Sequence, residues 1–509
     1  MPVKTLIKPS EYHDSVSLML VAQELSRLPG VIDAAIVMGT EANKGILKGA
    51  GLLTPETEAA SANDLVIAVS GEEDILPNAL SEAEKLLQKK QLAIGGAEFR
   101  PKTVRSAVRR NPAANVAVIS VAGRYAAGEA WEALHQGLHV LLFSDNVSLG
   151  DEISLKRYAA EHGLLLMGPG AGTAILNGVA LGFANVIPSG PVGIVSAAGT
   201  GLQEVSSLLA KYGTGISQGI GTGGRDLKEE VSGIMMLAGL KALQEDPSTK
   251  VIVLVSKPPA PLVASKMLQQ VELSNKPTVV CLLGQKDYKL QKNMVSFAHT
   301  LEEAALLAAK LAGVGIQDIT DQSVDLEVLR QQLRPDQCYL RGLFSGGTLC
   351  YEAQVIWRDL LDEPVLSNAP LDAKQQLPDS NRSQGHTAVD LGEEEFTVGR
   401  LHPMIDNDLR IRRLLQEAAD PQVAIILLDV VIGYGAHPDP AAELAPAIRR
   451  AREQAQDAGR DLIFVASVTG TEVDPQRLSR QVAQLEEARV ILCPSNAAAA
   501  RLVARIVKP

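Results

Sequence analysis

Cysteine is scarce in this chain of 509 residues: Cys281, Cys338, Cys350 and Cys493 stand apart, with no C-x-x-C and no neighbouring histidine pair. That spacing argues against a structural zinc site or a disulfide framework and points to a reducing compartment. Aromatic residues make up only 3%. Basic charge is in deficit, with a formal net charge of -11. Nucleic acid and anionic membranes both call for a basic face, so neither is an expected partner. No apolar run approaches the roughly 18 residues of a membrane span; the longest, Val423 to Ile432, is broken by Asp429. The stretch Met1-Pro-Val-Lys-Thr-Leu-Ile-Lys8 has no signal-peptide pattern, and a cytoplasmic location is expected. No metal-ligand cluster, Ser-His-Asp order or pair of catalytic carboxylates stands out, so no metal is inferred.

What is present is 46% hydrophobic residues and 43 glycines, which suits Ala/Val/Leu-rich α/β layers with large cores. The length predicts about three domains at roughly 150 residues each. The chain is organised around Pro191 to Glu204, where a short β-branched strand (192–196) runs through a small-residue turn into helical spacing. A strand, a glycine turn and a helix start leave free N–H groups aimed at one spot, where an anion is welcome. A second copy of the device lies at Leu343 to Glu352. The residues expected to bind an anion are Ser196, Gly199, Thr200 and Gly201 in the first turn and Ser345, Gly346, Gly347 and Thr348 in the second. A turn of this kind also lets a helix pack close to a sheet, and that simpler use stays open for each copy alone.

Residues 1–110 read as a small α+β unit, with Asp14 a plausible cap of the first helix. Within it, Gly39 to Gly45 is either a phosphate turn or an ordinary β-to-α turn. Gln91 to Asn111, with Arg100, Lys102, Arg105, Arg109 and Arg110, reads as a basic linker. From Asn115 strands and helices alternate, which predicts right-handed βαβ crossovers and parallel sheets. The divisions are a Rossmann-like unit (111–187), a first flavodoxin-like domain (188–315), a charged linker (316–337) holding Asp318 and Asp321, and a second flavodoxin-like domain (338–509). The last two read as a pseudo-repeat.

Among the polar candidates at strand ends, Arg225 follows Gly223 and Gly224 and either grips phosphate or carboxylate bidentately or pairs locally with Asp226. Lys257 either faces substrate or is solvated. Arg400 is a candidate anion ligand. His402 and His437 are candidate acid-base groups against the commoner structural role of a histidine. Glu204 is the leading acidic candidate, with stabilisation of the first turns of its helix as the alternative.

The Gly168-Pro169 turn, Gly193-Ile-Val-Ser196, Gly199-Thr200, Glu204 and Gly221 to Gly224 resemble the CoA-binding and ligase domains of succinyl-CoA synthetase α subunits. Leu343 to Glu352, Val389-Asp-Leu-Gly392 and Leu427 to Gly435 are similar to the β subunit's ligase domain. Asp14 to Met19, Phe143-Ser-Asp-Asn146, Phe183-Ala-Asn185, Gly223 to Asp226, Val255 to Pro259, Thr397 to Arg400, His402 to Asp406 and Asp429 to Gly433 resemble the FdrA family over nearly the whole chain.

The resemblance implies α-like and β-like ligase domains fused without an ATP-grasp domain. It implies two opposed helix ends at the two turns, and Glu204 in the place of a glutamate that contacts a phosphohistidine. The synthetases' Gly-His-Ala-Gly string is absent: Gly284-Gln-Lys-Asp-Tyr288 stands there, and His299 opens the following helix. FdrA-type subunits belong to oxamate carbamoyltransferases, which make carbamoyl phosphate with two partner proteins in purine breakdown. The implied activity is carbamoyl or acyl transfer, with phosphate or carbamoyl phosphate as ligand, coenzyme A as a candidate cofactor, partner subunits and an oligomer. The alternatives are an acyl-CoA ligase subunit served by a separate ATP-grasp partner, and a non-catalytic CoA- or metabolite-binding protein.

Overall fold

The computed structural model describes residues 2–11, 13, 15–94, 101–285, 294–316, 325–397 and 400–508. The expected cap Asp14, the basic residue Arg100, the linker acids Asp318 and Asp321 and the segment 286–288 lie outside them. The chain divides into two compact units, 1–102 with 394–401, and 103–393 with 402–509.

The first unit begins with β1 (Val3–Lys8), α1 (Ser15–Ser26), β2 (Val31–Met38), α2 (Glu41–Gly49), α3 (Pro55–Ala59), β3 (Leu65–Gly71) and α4 (Leu76–Ile94). Its three-stranded antiparallel sheet runs β1-β3-β2. The sequence reading missed β1, because Val-Lys-Thr-Leu-Ile-Lys does not alternate apolar with polar residues. The central β3 is buried on both sides. Ile67 and Val69 pack on Leu18, Val21, Leu25 and Leu76, while Val66 and Ala68 pack on Leu47 and Leu52. The Gly39–Gly45 turn is closed by its own chain, since Thr40 caps α2 by accepting from Asn43 N.

The second unit opens with α5 (Val104–Arg110), β4 (Val116–Ile119), α6 (Gly123–His135), β5 (His139–Leu142), α7 (Leu149–Glu161) and β6 (Leu166–Met167). Its first sheet, β4-β5-β6, is parallel. A hairpin follows, β7 (Thr173–Leu176) and β8 (Val179–Gly182). Then come β9 (Ser189–Ser196), α8 (Gly199–Lys211), β10 (Ile216–Gly221), α9 (Ile234–Glu245), β11 (Val251–Ser256), α10 (Pro261–Glu272), β12 (Thr278–Leu282), β13 (Val295–Phe297) and α11 (Leu301–Leu311). These strands form one sheet in the order β13-β12-β11-β9-β10-β7-β8. It is parallel except where the hairpin joins its edge antiparallel.

After α12 (Leu326–Gln331) the second half runs β14 (Tyr339–Phe344), α13 (Gly347–Leu360), β15 (Val365–Ser367) and β16 (His386–Asp390). The short α14 (Glu394–Thr397) belongs to the first unit. The chain then continues through α15 (Asp408–Ala418), β17 (Val423–Val431), α16 (Pro440–Asp457), β18 (Ile463–Thr469), α17 (Leu478–Glu487), β19 (Ile491–Cys493) and α18 (Asn496–Val507). The sheet β15-β16-β14-β17-β18-β19 is parallel throughout.

Set β7, β8 and β15 aside, and both large sheets read 2-1-3-4-5 in their own chain order, the flavodoxin-like winding. In each, the first strand, β9 or β14, sits where the order reverses. A helix therefore leaves to either side of the crevice at its carboxyl end, which is where ligands of open α/β sheets bind. Strand pleating divides the core: Val251, Val253 and Val255 of β11 face one cluster, and Ile252 and Leu254 face the other. The first cluster is continuous with residues of the second sheet, including Leu340, Ile425, Leu427 and Val465, through helices α8, α11, α13 and α18. Two flavodoxin-like halves thus share one core.

Candidate functional site

The first turn leaves β9 at Ser196, whose hydroxyl accepts from Ala198 N at 3.0 Å and donates to Ala198 O at 2.7 Å. This local knot aims the next residues back over the sheet. Helix α8 then starts at Gly199, three residues before the sequence spacing predicts, and its N-cap Ala198 offers no side-chain acceptor. Among the described residues no hydrogen-bond acceptor meets the N–H groups of Gly199, Thr200 or Gly201. This is an open, positively polarised helix end.

The second turn is already furnished. Asp429, near the end of β17, accepts from Ser345 N and Gly346 N, both at 2.8 Å, and from Ser345 Oγ at 3.1 Å. Buried Arg410 pairs with the same carboxylate at 2.8 Å. Ser345 and Gly346 therefore spend their N–H groups on the protein's own anion. The start of α13 at Gly347 and Thr348 has no side-chain cap.

The two ends touch. Thr348 N donates to Thr200 Oγ1 at 3.3 Å. A Cβ built on Gly201 would lie 3.1 Å from Thr348 Cγ2, and one built on Gly346 would lie 2.9 Å from Thr200 Cγ2. Glycine is needed at both places for the helix ends to approach this closely.

Three polar side chains gather beside this contact. Lys257, just past β11, reaches the start of α13: its Nζ would be 3.7 Å from a Cβ on Gly347 and lies 5.5 Å from the Tyr351 ring centroid. Asp390, ending β16, is buried and directs Oδ1 to Gly392 N at 2.9 Å. Its Oδ2 would come within 2.5 Å of a Cβ on Gly347. Burial lifts this carboxyl to about 7 against the pull of Lys257. His402 accepts from Met404 N through Nδ1 at 3.2 Å, which leaves Nε2 as the protonated nitrogen of the neutral ring. Nε2 would be 2.9 Å from a Cβ on Gly392, and that same point is 3.2 Å from Asp390 Oδ1. Burial pushes the imidazole down to about 4, so it is neutral at physiological pH.

The other candidates are held elsewhere. Glu204 is buried within α8 and reaches the second half, accepting from Asn496 N at 3.0 Å and from Thr469 Oγ1 at 2.5 Å. It caps α18. Its counterpart Glu352 on α13 accepts from Leu301 N at 2.6 Å, capping α11, and from Asn496 Nδ2 at 2.7 Å. The two glutamates are thus exchanged between the halves.

Gly223 takes φ +83°, and a Cβ there would be 2.6 Å from Pro169 O, so it and Gly224 shape the loop after β10. Arg225 pairs with buried Glu152 at 2.9 Å and donates to Val147 O at 2.8 Å. Its neighbour Asp226 is taken by Lys156 at 2.9 Å and by Met235 N and Met236 N of α9. The local partner of Arg225 is thus Glu152 on α7, and not Asp226.

His437 braces its own loop, with Nε2 3.2 Å from Glu443 and Nδ1 accepting from Asp439 N at 3.1 Å. Arg400 is exposed and belongs to the first unit. His299 is exposed just before Thr300, the cap of α11. Asp390, Asp429 and Glu352 were not among the site candidates read from the sequence. The signal for the first two was an acidic residue at or near the carboxyl end of a buried strand (His-Thr-Ala-Val-Asp390; Ile-Leu-Leu-Asp429-Val-Val), and Glu352 repeats the Gly-Thr to Glu spacing of Glu204.

A CoA-ligase family profile matches residues 343–506, and a profile described as "AllF, heavy metal-associated domain" matches residues 1–101. Heavy-metal chemistry does not fit the residues present: the first 101 residues contain no cysteine and one histidine, His13. Among the described residues no group of His, Cys, Asp and Glu could hold a metal ion. The succinate–CoA ligase [ADP-forming] α subunit of Methanothermobacter thermautotrophicus is 27% identical over 28% of this chain and 48% of its own. The chain thus matches about half of that relative. A dinucleotide-forming acetyl-coenzyme A synthetase from Ca. Korarchaeum cryptofilum aligns over 77% of this chain and 82% of its own, at 17% identity and a TM-score of 0.31. The uncharacterized protein YahF of Escherichia coli is 45% identical over 97% of each chain. The chain is therefore a member of the YahF family, and its residues 343–506 form a CoA-ligase domain.

Proposed function

We propose that the chain is an FdrA-type subunit of a carbamoyl or acyl transferase, built on succinyl-CoA-synthetase-like domains and working with partner subunits. The carbamoyl form of the reaction moves the carbamoyl group of N-carbamoylated oxamate to phosphate, giving carbamoyl phosphate and releasing oxamate. The observation that carries this reading is the open amino-terminal end of α8, set against the start of α13 and Lys257. Such a place suits a phosphate or a carboxylate, and its N–H donors suit an oxyanion that develops during acyl transfer. Residues 284–298 contain no histidine, so a direct transfer between bound anions fits this chain better than relay through a phosphohistidine.

The runner-up is an acyl-CoA ligase subunit served by a separate ATP-grasp partner. It is favoured by the CoA-ligase domain and by the ligase subunits among the relatives. Coenzyme A fits the β4–α6 turn. There α6 starts at Gly123 without a side-chain cap, next to exposed Arg124 and Tyr125, and a Cβ on Gly123 would be 2.3 Å from Asp145 O. An uncapped helix start beside an arginine would hold its phosphates, and its thiol would supply the acyl acceptor.

The test is the complex purified from its native host through a tag on this chain. Phosphate release from carbamoyl phosphate plus oxamate supports transfer, and thioester formation from ATP, CoA and an acid supports the ligase. Binding of these compounds without turnover in either mixture overturns both.

A further inference from the structure

We infer that Asp390 is the proton-transferring group of this site, facing a bound anion from the start of α13, with Lys257 setting its charge. The inference rests on the transferase reading for its chemistry, but its placement rests on geometry alone. Asp390 stands at the carboxyl end of β16, which pairs with β14 on the opposite side from β17. Its backbone is pinned, because its N–H donates to Asn368 Oδ1 and its carbonyl accepts from Asn368 Nδ2, both at 2.9 Å. One carboxylate oxygen is satisfied by Gly392 N. Among the described residues the other, Oδ2, accepts no hydrogen bond, and it points at the one helix residue, Gly347, that has no side chain to cover it.

A buried carboxyl with an unpartnered oxygen is costly as an anion and cheap as an acid. The groups that face it are Lys257, Glu393, Asp429 and, through the thiol beneath, Cys350. His402, neutral, closes the side toward Gly392. Burial, opposed by Lys257 and aided by Glu393 and Asp429, lifts the Asp390 carboxyl to about 7, where a general acid is most useful.

In carbamoyl transfer a phosphate oxygen attacks the carbamoyl carbon, and the bond from that carbon to the oxamate nitrogen breaks. The departing amide nitrogen is a poor leaving group unless it receives a proton. Protonated Asp390 donates that proton, and the proton of the attacking hydrogen phosphate returns to the carboxylate. Atoms and charge balance without any further reactant.

Two measurements separate this inference from the transferase reading. The first needs no turnover: sulfate, which does not titrate in this range, is bound to the full-length protein at pH 6 and pH 8 by calorimetry. Ionisation of a carboxyl facing the anion should weaken binding by roughly an order of magnitude, and D390N should abolish that pH difference. An unchanged pH difference in D390N overturns the inference, whatever the enzyme does. The second uses the native complex with carbamoyl phosphate and oxamate. D390N should lose about 100-fold or more in kcat, and K257M, which keeps the carboxyl, should move the limb near neutrality to higher pH. D390N with an undiminished rate, or K257M with an unmoved limb, overturns the inference. No phosphate release by the unmodified complex sinks the transferase reading and leaves the sulfate result to decide the placement.

Discussion

Glu352 offers a test of how the two halves lock together. It is buried on α13, caps α11 of the other half through Leu301 N, and stands in the field of Glu204 and Glu302. Burial is the main cause that raises its carboxyl from 4.5 to about 8. A folded pKa above the unfolded one means that the folded state binds the proton more tightly. Stability is therefore greatest at low pH and falls as pH climbs from 4.5 toward 8. Within that window each pH unit costs about 1.4 kcal/mol. The slope fades near the upper end, so going from pH 6 to pH 8 removes about 2 kcal/mol. E352Q cannot ionise and should lose this component, while sharing every other titration with the parent. Trp357, fully buried on the same helix with its indole N–H on Ala500 O at 3.0 Å, reports the transition by fluorescence in urea. The parent should fall by about 2 kcal/mol more than E352Q over this range. Equal pH dependence in the two proteins would refute the exchange of buried carboxylates between halves.

Other perturbations follow from the same geometry. G347A adds a methyl group 2.5 Å from Asp390 Oδ2; it should reduce turnover of the native complex at least tenfold while shifting the unfolding midpoint little, since alanine favours a helix. K156M strips the ammonium from buried Glu152 and Asp226, each 2.9 Å away, and should cost about 3–5 kcal/mol in urea unfolding. Because residues 1–101 hold no cysteine, added zinc or copper(I) should leave the melting temperature of the full chain unchanged, whereas a rise would reveal ligands unlike those of thiolate sites.

The winding of both halves was legible because parallel strands buried on both faces read as unbroken apolar runs rich in Val, Ile and Leu, as in Val251–Val255 and Val423–Leu428. The two turns were legible for a similar local reason, since glycine and serine after such a strand prescribe a tight reversal. The hairpin β7–β8 was missed although its signal is local: Asn177 and Gly178, both at positive φ, form the two-residue turn that joins strands 173–176 and 179–182. The partners of the polar residues were not legible. Arg225 looked equally suited to substrate or to its neighbour Asp226 until α7 brought Glu152 within 2.9 Å. Glu204 looked like a catalytic acid until Asn496 N, 292 residues away, took its oxygen. Asp390 and Asp429 were passed over because an aspartate late in a buried strand is a weak signal until the helix start it faces is known.

The claim on which the account turns is that two helix starts from separate halves meet, and T200C/G346C measures it. A Cβ at 346 would stand 2.9 Å from the γ position of residue 200, which is within disulfide reach. Mild oxidation of the folded double variant should join the peptides carrying positions 200 and 346, as read by mass spectrometry after digestion, while each single variant stays unlinked. Two free thiols under the same oxidation, with the protein still folded, would contradict it.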